Sequence, residues 1–132
     1  MVKVERPLKK QVVFEKILQE MNRAGDFKAA VLSTTEGLSL ASAPANYKDE
    51  MVAAMVAMLN KVTRQARQQL NLTQVDEVSL VGDDRTRLAC RYFSVAGQNL
   101  VLAVLVPPDS YYRRLTNRAI RQIRRAWMAE GK

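Results

Sequence analysis

Apolar residues recur at helical spacing over a long segment in the middle of the chain, Asn46–Leu70. Neither glycine nor proline interrupts it, and Asp49 and Glu50 place negative charge in its first turn, where the helix dipole favours it. Asn46 suits the N-cap position. The pattern predicts one long helix with a broad apolar face that a sheet or another helix must cover. That face comprises Met51, Met55, Leu59, Val62, Ala66 and Leu70.

The first half of this helix also lacks a fully polar side. Met51–Leu59 is an unbroken apolar run, and Ala53 and Ala57 lie one turn apart on the back of the helix. A helix that is apolar all round is buried on more than one side. Two interpretations follow: burial within one protomer, or burial against a partner subunit, which a chain this short favours. The expected dimer interface comprises Met51, Ala53, Ala54, Ala57 and Met58.

Short apolar runs predict five strands in two groups, one before the long helix in the sequence and one after it. Gly37 supplies the positive φ for a hairpin turn in the first group. In the second group, Gly97-Gln98-Asn99 is expected to form the last turn, and the final strand is apolar throughout, as in a central strand covered on both faces. The strands are expected at Lys28–Thr34, Leu38–Ala43, Val75–Gly82, Thr86–Ala96 and Leu100–Val106.

Amphipathic patterns at the two ends of the chain predict two further helices. The first runs from Pro7 to Ala24, with Gly25 as a left-handed stop. The last begins at Asp109 or Ser110 and ends near Ala129. Its apolar arc is expected to face the sheet, with an arc of arginines opposite. Together the elements predict one α/β domain over residues 1–132, built in two or three layers.

The composition argues against an enzyme by what it lacks. The absence of histidine removes the commonest general base and metal ligand, and no glycine-rich phosphate loop is present. Cys90, the single cysteine, is expected to be a buried, inert thiol, and the carboxylates around Asp83-Asp84 a solvated turn. We therefore predict no catalytic, cofactor or metal site. The charged N-terminus lacks the apolar segment of a signal peptide, so the expected compartment is the cytoplasm.

The formal net charge of +8 is concentrated in the last helix. The segment from Pro107 onward contains seven basic and two acidic residues, so five of the eight net charges lie there. Arginine pairs bidentately with carboxylate and phosphate, so the partner would be an acidic protein surface, nucleic acid or anionic membrane. A solvated helix face is the alternative. The tentative partner-binding residues are Arg113, Arg114, Arg118, Arg121, Arg124 and Arg125.

Four segments in this order make the chain resemble the Roadblock/LC7 family, and in particular its bacterial and archaeal MglB-like members. They are FEKILQEM, AAVLSTTEGLSLAS, DEMVAAMVAML and NLVLAVLV, and the resemblance extends from Phe14 to Trp127. It implies a five-stranded antiparallel sheet with the long helix on one face and the terminal helices on the other. It also implies a homodimer in which edge strands and long helices meet across a two-fold axis.

The resemblance implies a function as well. Roadblock/LC7 proteins bind small Ras-like GTPases, some as GTPase-activating partners and others as scaffolds, and do not hydrolyse nucleotides themselves. The expected function is therefore that of a non-enzymatic, homodimeric regulator or scaffold of a small GTPase. The alternative is a basic nucleic-acid-binding module that acts through the arginine face of the last helix, a feature that departs from the family's general pattern.

Overall fold

The computed structural model describes residues 8–129, which form three helices and five strands. The order of elements is the one predicted from the sequence. The helices are α1 (Leu8–Gly25), α2 (Asp49–Leu70) and α3 (Arg113–Met128). The strands are β1 (Ala29–Thr34), β2 (Ser39–Ala43), β3 (Glu77–Val81), β4 (Arg87–Val95) and β5 (Gln98–Val106). Pro7, predicted to open the first helix, lies outside the described residues.

The strands form one antiparallel sheet in the order β2-β1-β5-β4-β3. The all-apolar strand β5 lies at its centre, as predicted: Val104 pairs with Ala30 of β1 on one side and with Ala89 of β4 on the other. The N-terminal hairpin and the three-stranded meander are therefore joined through β1 and β5 into a single sheet.

The sheet separates α1 and α3 from α2. Successive residues of β5 point to opposite faces, so Leu102 packs in the core beneath α1 and α3, whereas Val101 packs beneath α2. Phe14 of α1 stacks on Trp127 of α3 with ring centroids 5.9 Å apart. The predicted fold class is confirmed: a five-stranded antiparallel sheet with the long helix on one face and the terminal helices on the other.

The sequence left open whether the sheet or another helix covers the face of α2 from Met51 to Leu70, and the structure shows that the sheet covers a different side. Ala53, Val56 and Thr63 are the residues of α2 that the protomer buries. The turn between β1 and β2 explains this choice, since a Cβ at Gly37 would lie 3.2 Å from both the Ala53 carbonyl oxygen and the Ala57 Cβ. Small side chains let the helix approach so closely. The face expected to be covered, from Met51 to Leu70, points largely to solvent.

Three of the predicted helix boundaries also needed correction. Asn46 is not the N-cap of α2: its backbone N–H donates to the Ser42 hydroxyl, and α2 begins after Lys48, whose φ is 38°. The last helix begins at Arg113, later than predicted, with Tyr112 at the N-cap, and Asp109, at φ 59°, lies outside the helical region. The left-handed residue after α1 is Asp26 rather than Gly25.

The predicted turn between β4 and β5 is shifted by one residue. Ala96 and Gly97 form it, both with positive φ, and Val95 pairs directly with Gln98. Two positive φ values are what a two-residue hairpin turn requires. Asn99, expected in the turn, is already part of β5.

Candidate functional site

The side of α2 that points away from the sheet carries a stripe of exposed apolar side chains. Met51, Met55, Met58 and Val62 lie within about 60° of one another at 100° per residue, and their exposed fractions are 59%, 37%, 67% and 59%. We call these four residues the methionine face. Large apolar side chains gathered on one exposed helix face are typical of an interface.

The structure divides the five residues predicted for the dimer interface. Met51 and Met58 belong to the methionine face, and Ala54 is exposed beside it. Ala53 is fully buried within its own protomer, and Ala57 lies against the β1–β2 turn. The helical periodicity already placed Met55 and Val62 with Met51, so the signal for the complete face was present in the sequence.

The apolar surface continues from α2 toward the outer edge of the sheet. Leu59 of α2 and Leu88 of β4 both pack against the small core on this face. Leu88 pairs with Leu80 of the edge strand β3, and Leu80 is 53% exposed. In the described part of the chain, β3 has a strand neighbour on one side only, so its other side offers backbone hydrogen-bonding groups to a further strand.

The six arginines of α3 do not act alike. Arg113 forms ion pairs of 2.8 Å with Asp76 and Glu77, and Arg124 donates to the Ser94 carbonyl oxygen from above the Phe93 ring. These two therefore hold α3 against the sheet, although both side chains remain exposed. The other four are exposed at one-turn spacing and form what we call the arginine stripe: Arg114, Arg118, Arg121 and Arg125. None of the four pairs with a carboxylate in residues 8–129.

A buried arginine that the sequence analysis overlooked fixes the start of α3. Arg91 of β4 donates to the Thr116 hydroxyl at 2.5 Å and to the Asn117 side-chain oxygen at 2.8 Å. Asp76 and Glu77 lie 3.7 and 3.8 Å from its guanidinium group. The available signal was a charged residue in the middle of an otherwise alternating strand.

The same contacts lower the pKa values of the two carboxyl groups. Arg113 lowers the pKa of Asp76 mainly through its hydrogen bond, against the effect of partial burial. Burial raises the pKa of Glu77, but hydrogen bonds from Ser79 and Tyr112 and the charge of Arg113 outweigh it, and the net shift is downward. Both groups are thus held as carboxylates that stabilise the fold.

The single cysteine and the metal-binding side chains complete the survey of chemically reactive groups in the described residues. Burial, and secondarily the charge of Glu77, raises the pKa of the Cys90 thiol to about 11, so Cys90 is a buried thiol as predicted. Residues 8–129 contain no cluster of three or more metal-binding side chains. None of the described helices is both long and apolar enough to cross a bilayer.

Comparison with solved structures shows the fold directly. MglB of Myxococcus xanthus superposes with a TM-score of 0.73 at 13% identity, covering 86% of this chain and 94% of that one. The gliding protein MglB of Thermus thermophilus superposes with a TM-score of 0.70 at 20% identity over 95% and 93% of the two chains. A Roadblock/LC7 domain from Streptomyces avermitilis gives 0.68 at 16% identity over 86% and 93%. No family profile matches the sequence, and no curated protein matches it significantly. The chain has the MglB-like Roadblock/LC7 fold.

Proposed function

We propose that this chain, with its MglB-like Roadblock/LC7 fold, acts as a non-enzymatic homodimer that regulates or scaffolds a small Ras-like GTPase. The observation that carries the proposal is the methionine face, an apolar surface on a helix whose other side is already packed. A solved MglB described as having a tetrameric arrangement superposes with a TM-score of 0.71 at 20% identity, which supports self-association of this fold.

The methionine face favours a second copy of the chain as its first occupant. In a two-fold dimer the same surface is used on both subunits, so an apolar stripe meets an apolar stripe. The partner's α2 would lie beside α2, over the exposed Leu80 and the half-buried Leu88. Methionine adapts its shape easily, which suits a stripe that must pack against its own copy.

Met58→Glu tests the dimer. A carboxylate at the centre of an apolar interface would have to be desolvated, so we expect the solution mass to fall from twice 14.9 kDa to 14.9 kDa in light scattering. The matched control is Val12→Glu, because Val12 is equally exposed but lies on α1, across the sheet. An unchanged mass for Met58→Glu, or equal loss in both variants, would contradict the assignment. Ala57→Glu is unsuitable because Ala57 contacts the β1–β2 turn of its own protomer.

GTPase binding is tested by a nuclease-treated pull-down from the source lysate, run in parallel with GTP and GDP analogues. We expect retention of a Ras-like GTPase that prefers one nucleotide state. Measuring GTP turnover with the purified pair then distinguishes an activating partner from a scaffold. If the dimer forms but no GTPase is retained in either state, the fold stands and the regulatory function is contradicted.

The arginine stripe is the proposed contact with the partner's acidic surface. Within residues 8–129, Arg114, Arg118, Arg121 and Arg125 pair with no carboxylate. They lie on α3, across the sheet from the methionine face. A dimer can therefore form while the arginine stripe stays free. The double variant Arg118→Glu/Arg121→Glu should reduce capture of the GTPase at least about tenfold without changing the dimer mass.

The nucleic-acid alternative makes a different prediction for the same surface. Four arginines that neutralise phosphates would give an affinity falling with salt at a logarithmic slope of about −3 to −4. Retention of salt-sensitive RNA or DNA in the untreated control, with no GTPase, would assign the arginine stripe to nucleic acid instead.

A further inference from the structure

A cavity of about 440 Å³ lies between the C-terminal half of α2, the loop after it and the β4–β5 hairpin. Three guanidinium groups line it: Arg64 and Arg67 from α2 and Arg124 from α3. On the helical wheel Arg64 and Arg67 lie about 140–160° from Met51, at 100° per residue. The cavity is therefore separate from the methionine face, and none of its arginines belongs to the arginine stripe.

The charges around the cavity leave a positive excess. Arg64 and Arg67 form no ion pair with any residue in the described range 8–129. Two carboxylates also line the cavity, but Asp76 is already paired with Arg113 at 2.8 Å. Glu36 is the other, and it accepts a hydrogen bond from its neighbour Thr35. Three guanidinium groups thus face one carboxylate that no arginine neutralises.

The wall of the cavity also holds a buried hydroxyl group that lacks a hydrogen bond of ordinary geometry. The Tyr92 oxygen is shielded from solvent and has no such partner in the described residues. Thr63 lies close to it, outside ordinary hydrogen-bond geometry, and the Thr63 hydroxyl itself donates to the Asn60 carbonyl oxygen at 2.8 Å. Burial, with a contribution from Cys90, raises the pKa of Tyr92 to about 12, so the phenol keeps its proton. A buried donor without a well-formed hydrogen bond costs free energy that a ligand could recover.

We propose that this cavity binds a small phosphorylated molecule, with Arg64 and Arg67 pairing with the phosphate and the Tyr92 hydroxyl donating to it. Arginine favours phosphate because the planar guanidinium group matches two phosphate oxygens at once. Arg124, held in place over Phe93, supplies a third positive group. The volume lies within the range of small-molecule sites. This inference is independent of the proposed GTPase partner, because neither proposed interaction surface lines the cavity.

Calorimetric titration of the full chain in phosphate-free buffer tests the site with inorganic phosphate, pyrophosphate and ATP as probes. We expect one site per chain and a Kd of about 1 mM or tighter for at least one probe. Arg64→Gln/Arg67→Gln should weaken it at least about tenfold. The control Arg118→Gln/Arg121→Gln removes the same charge from the arginine stripe and should change it less than about twofold. Citrate, an anion without phosphorus, should bind more weakly than pyrophosphate.

Tyr92→Phe separates a binding role from a structural one. Because the hydroxyl has no ordinary internal hydrogen bond, its removal should leave the urea midpoint unchanged or slightly higher. The same variant should weaken the best probe severalfold. Three results would each overturn the proposal: no saturable binding of any probe, equal loss in both arginine double variants, or citrate binding as tightly as pyrophosphate. Loss of stability with unchanged binding in Tyr92→Phe would overturn the role of the hydroxyl.

Discussion

The two faces of the sheet are filled very differently. Among the described residues, nineteen buried apolar residues form one core on the side of α1 and α3, and aromatic and aliphatic side chains of both helices close it. On the side of α2 the corresponding core has four described residues, Val56, Cys90, Val101 and Ala103. The larger core completes itself within the protomer. The smaller core is covered by α2, which contacts it mainly through small side chains, while the bulky residues of α2 point outward.

This difference indicates which face sets the stability of the protomer and which face has apolar surface available for binding. A face whose core is complete has little apolar area left to bury against another chain. A face with a thin core and exposed methionines still has most of that area available. The α1/α3 side should therefore set the stability of the protomer, whereas the α2 side should respond to partners and protein concentration.

The largest expected effect comes from truncating the complete core. Phe14→Ala removes a fully buried ring that stacks on Trp127, and should lower the free energy of unfolding by about 3–5 kcal/mol at every protein concentration. Met55→Ala, on the methionine face, should cost less than about 1 kcal/mol in dilute solution, where no partner covers it. Urea denaturation followed by circular dichroism measures both. Equal costs would contradict the contrast between the two faces.

A second test exchanges the same residue in two settings. Arg91→Met leaves Thr116 and Asn117 without their buried donor and removes one positive charge beside Asp76, and should destabilise the protein by about 2–4 kcal/mol. Arg114→Met, in the arginine stripe, should change stability by less than about 0.5 kcal/mol. Urea midpoints of the two variants decide it. If both changes are small, Arg91 does not anchor α3.

The sequence predicts the order and type of all eight elements because each carries its own periodicity. Period two appears in the strands, period 3.6 in the helices, and an all-apolar run marks β5 as central. These signals are local, so they do not depend on the rest of the chain. The long helix shows their limit, because periodicity alone does not predict which of its sides the sheet covers. Both of its sides are apolar, and the buried side is the one that packs against the Gly37 turn through Ala53 and against β4 and β5 through Val56.

The arginines illustrate the same limit for the candidate sites. Spacing along α3 groups six of them on one arc, but the partners of Arg113 and Arg124 come from β3 and β4. Contacts between residues about 30 positions apart leave no trace in a helical wheel. The predicted helix starts were wrong for a related reason. The left-handed backbone at Lys48 and Asp109 depends on how the chain turns into each helix.

A third, smaller effect examines how closely α2 approaches the sheet. Gly37→Ala adds a Cβ 3.2 Å from the Ala57 Cβ and also strains a residue whose φ is 101°, so it should cost about 2–3 kcal/mol. Gly97→Ala is the matched control: its φ is 79°, but an added Cβ meets nothing within 4 Å. It should cost only the backbone strain, about 1 kcal/mol. If the two variants lose equal stability, α2 does not rest on the β1–β2 turn.

The smallest expected effect is a dependence of stability on pH that belongs to the α1/α3 side. The pKa values of Asp76 and Glu77 are lowered below their usual 3.8 and 4.5 by folding, so their contribution is complete above those values and is lost as acid protonates them. Each should contribute less than about 1 kcal/mol: the Asp76 side chain is 59% exposed, so solvent screens its ion pairs, and burial of Glu77 opposes the lowering of its pKa.

The urea midpoint should therefore fall between neutral pH and about pH 3, and Asp76→Asn/Glu77→Gln should flatten that fall by removing the two titrating groups. The double variant should also be less stable at neutral pH, since Arg91 and Arg113 would lose their carboxylate partners. A fall of unchanged size in the variant would place the acid-sensitive groups elsewhere. Arg91 and Arg113 tie these carboxylates to β4 and α3. Protonating or replacing the carboxylates should therefore weaken the α1/α3 face, while the methionine face and the dimer mass stay unchanged.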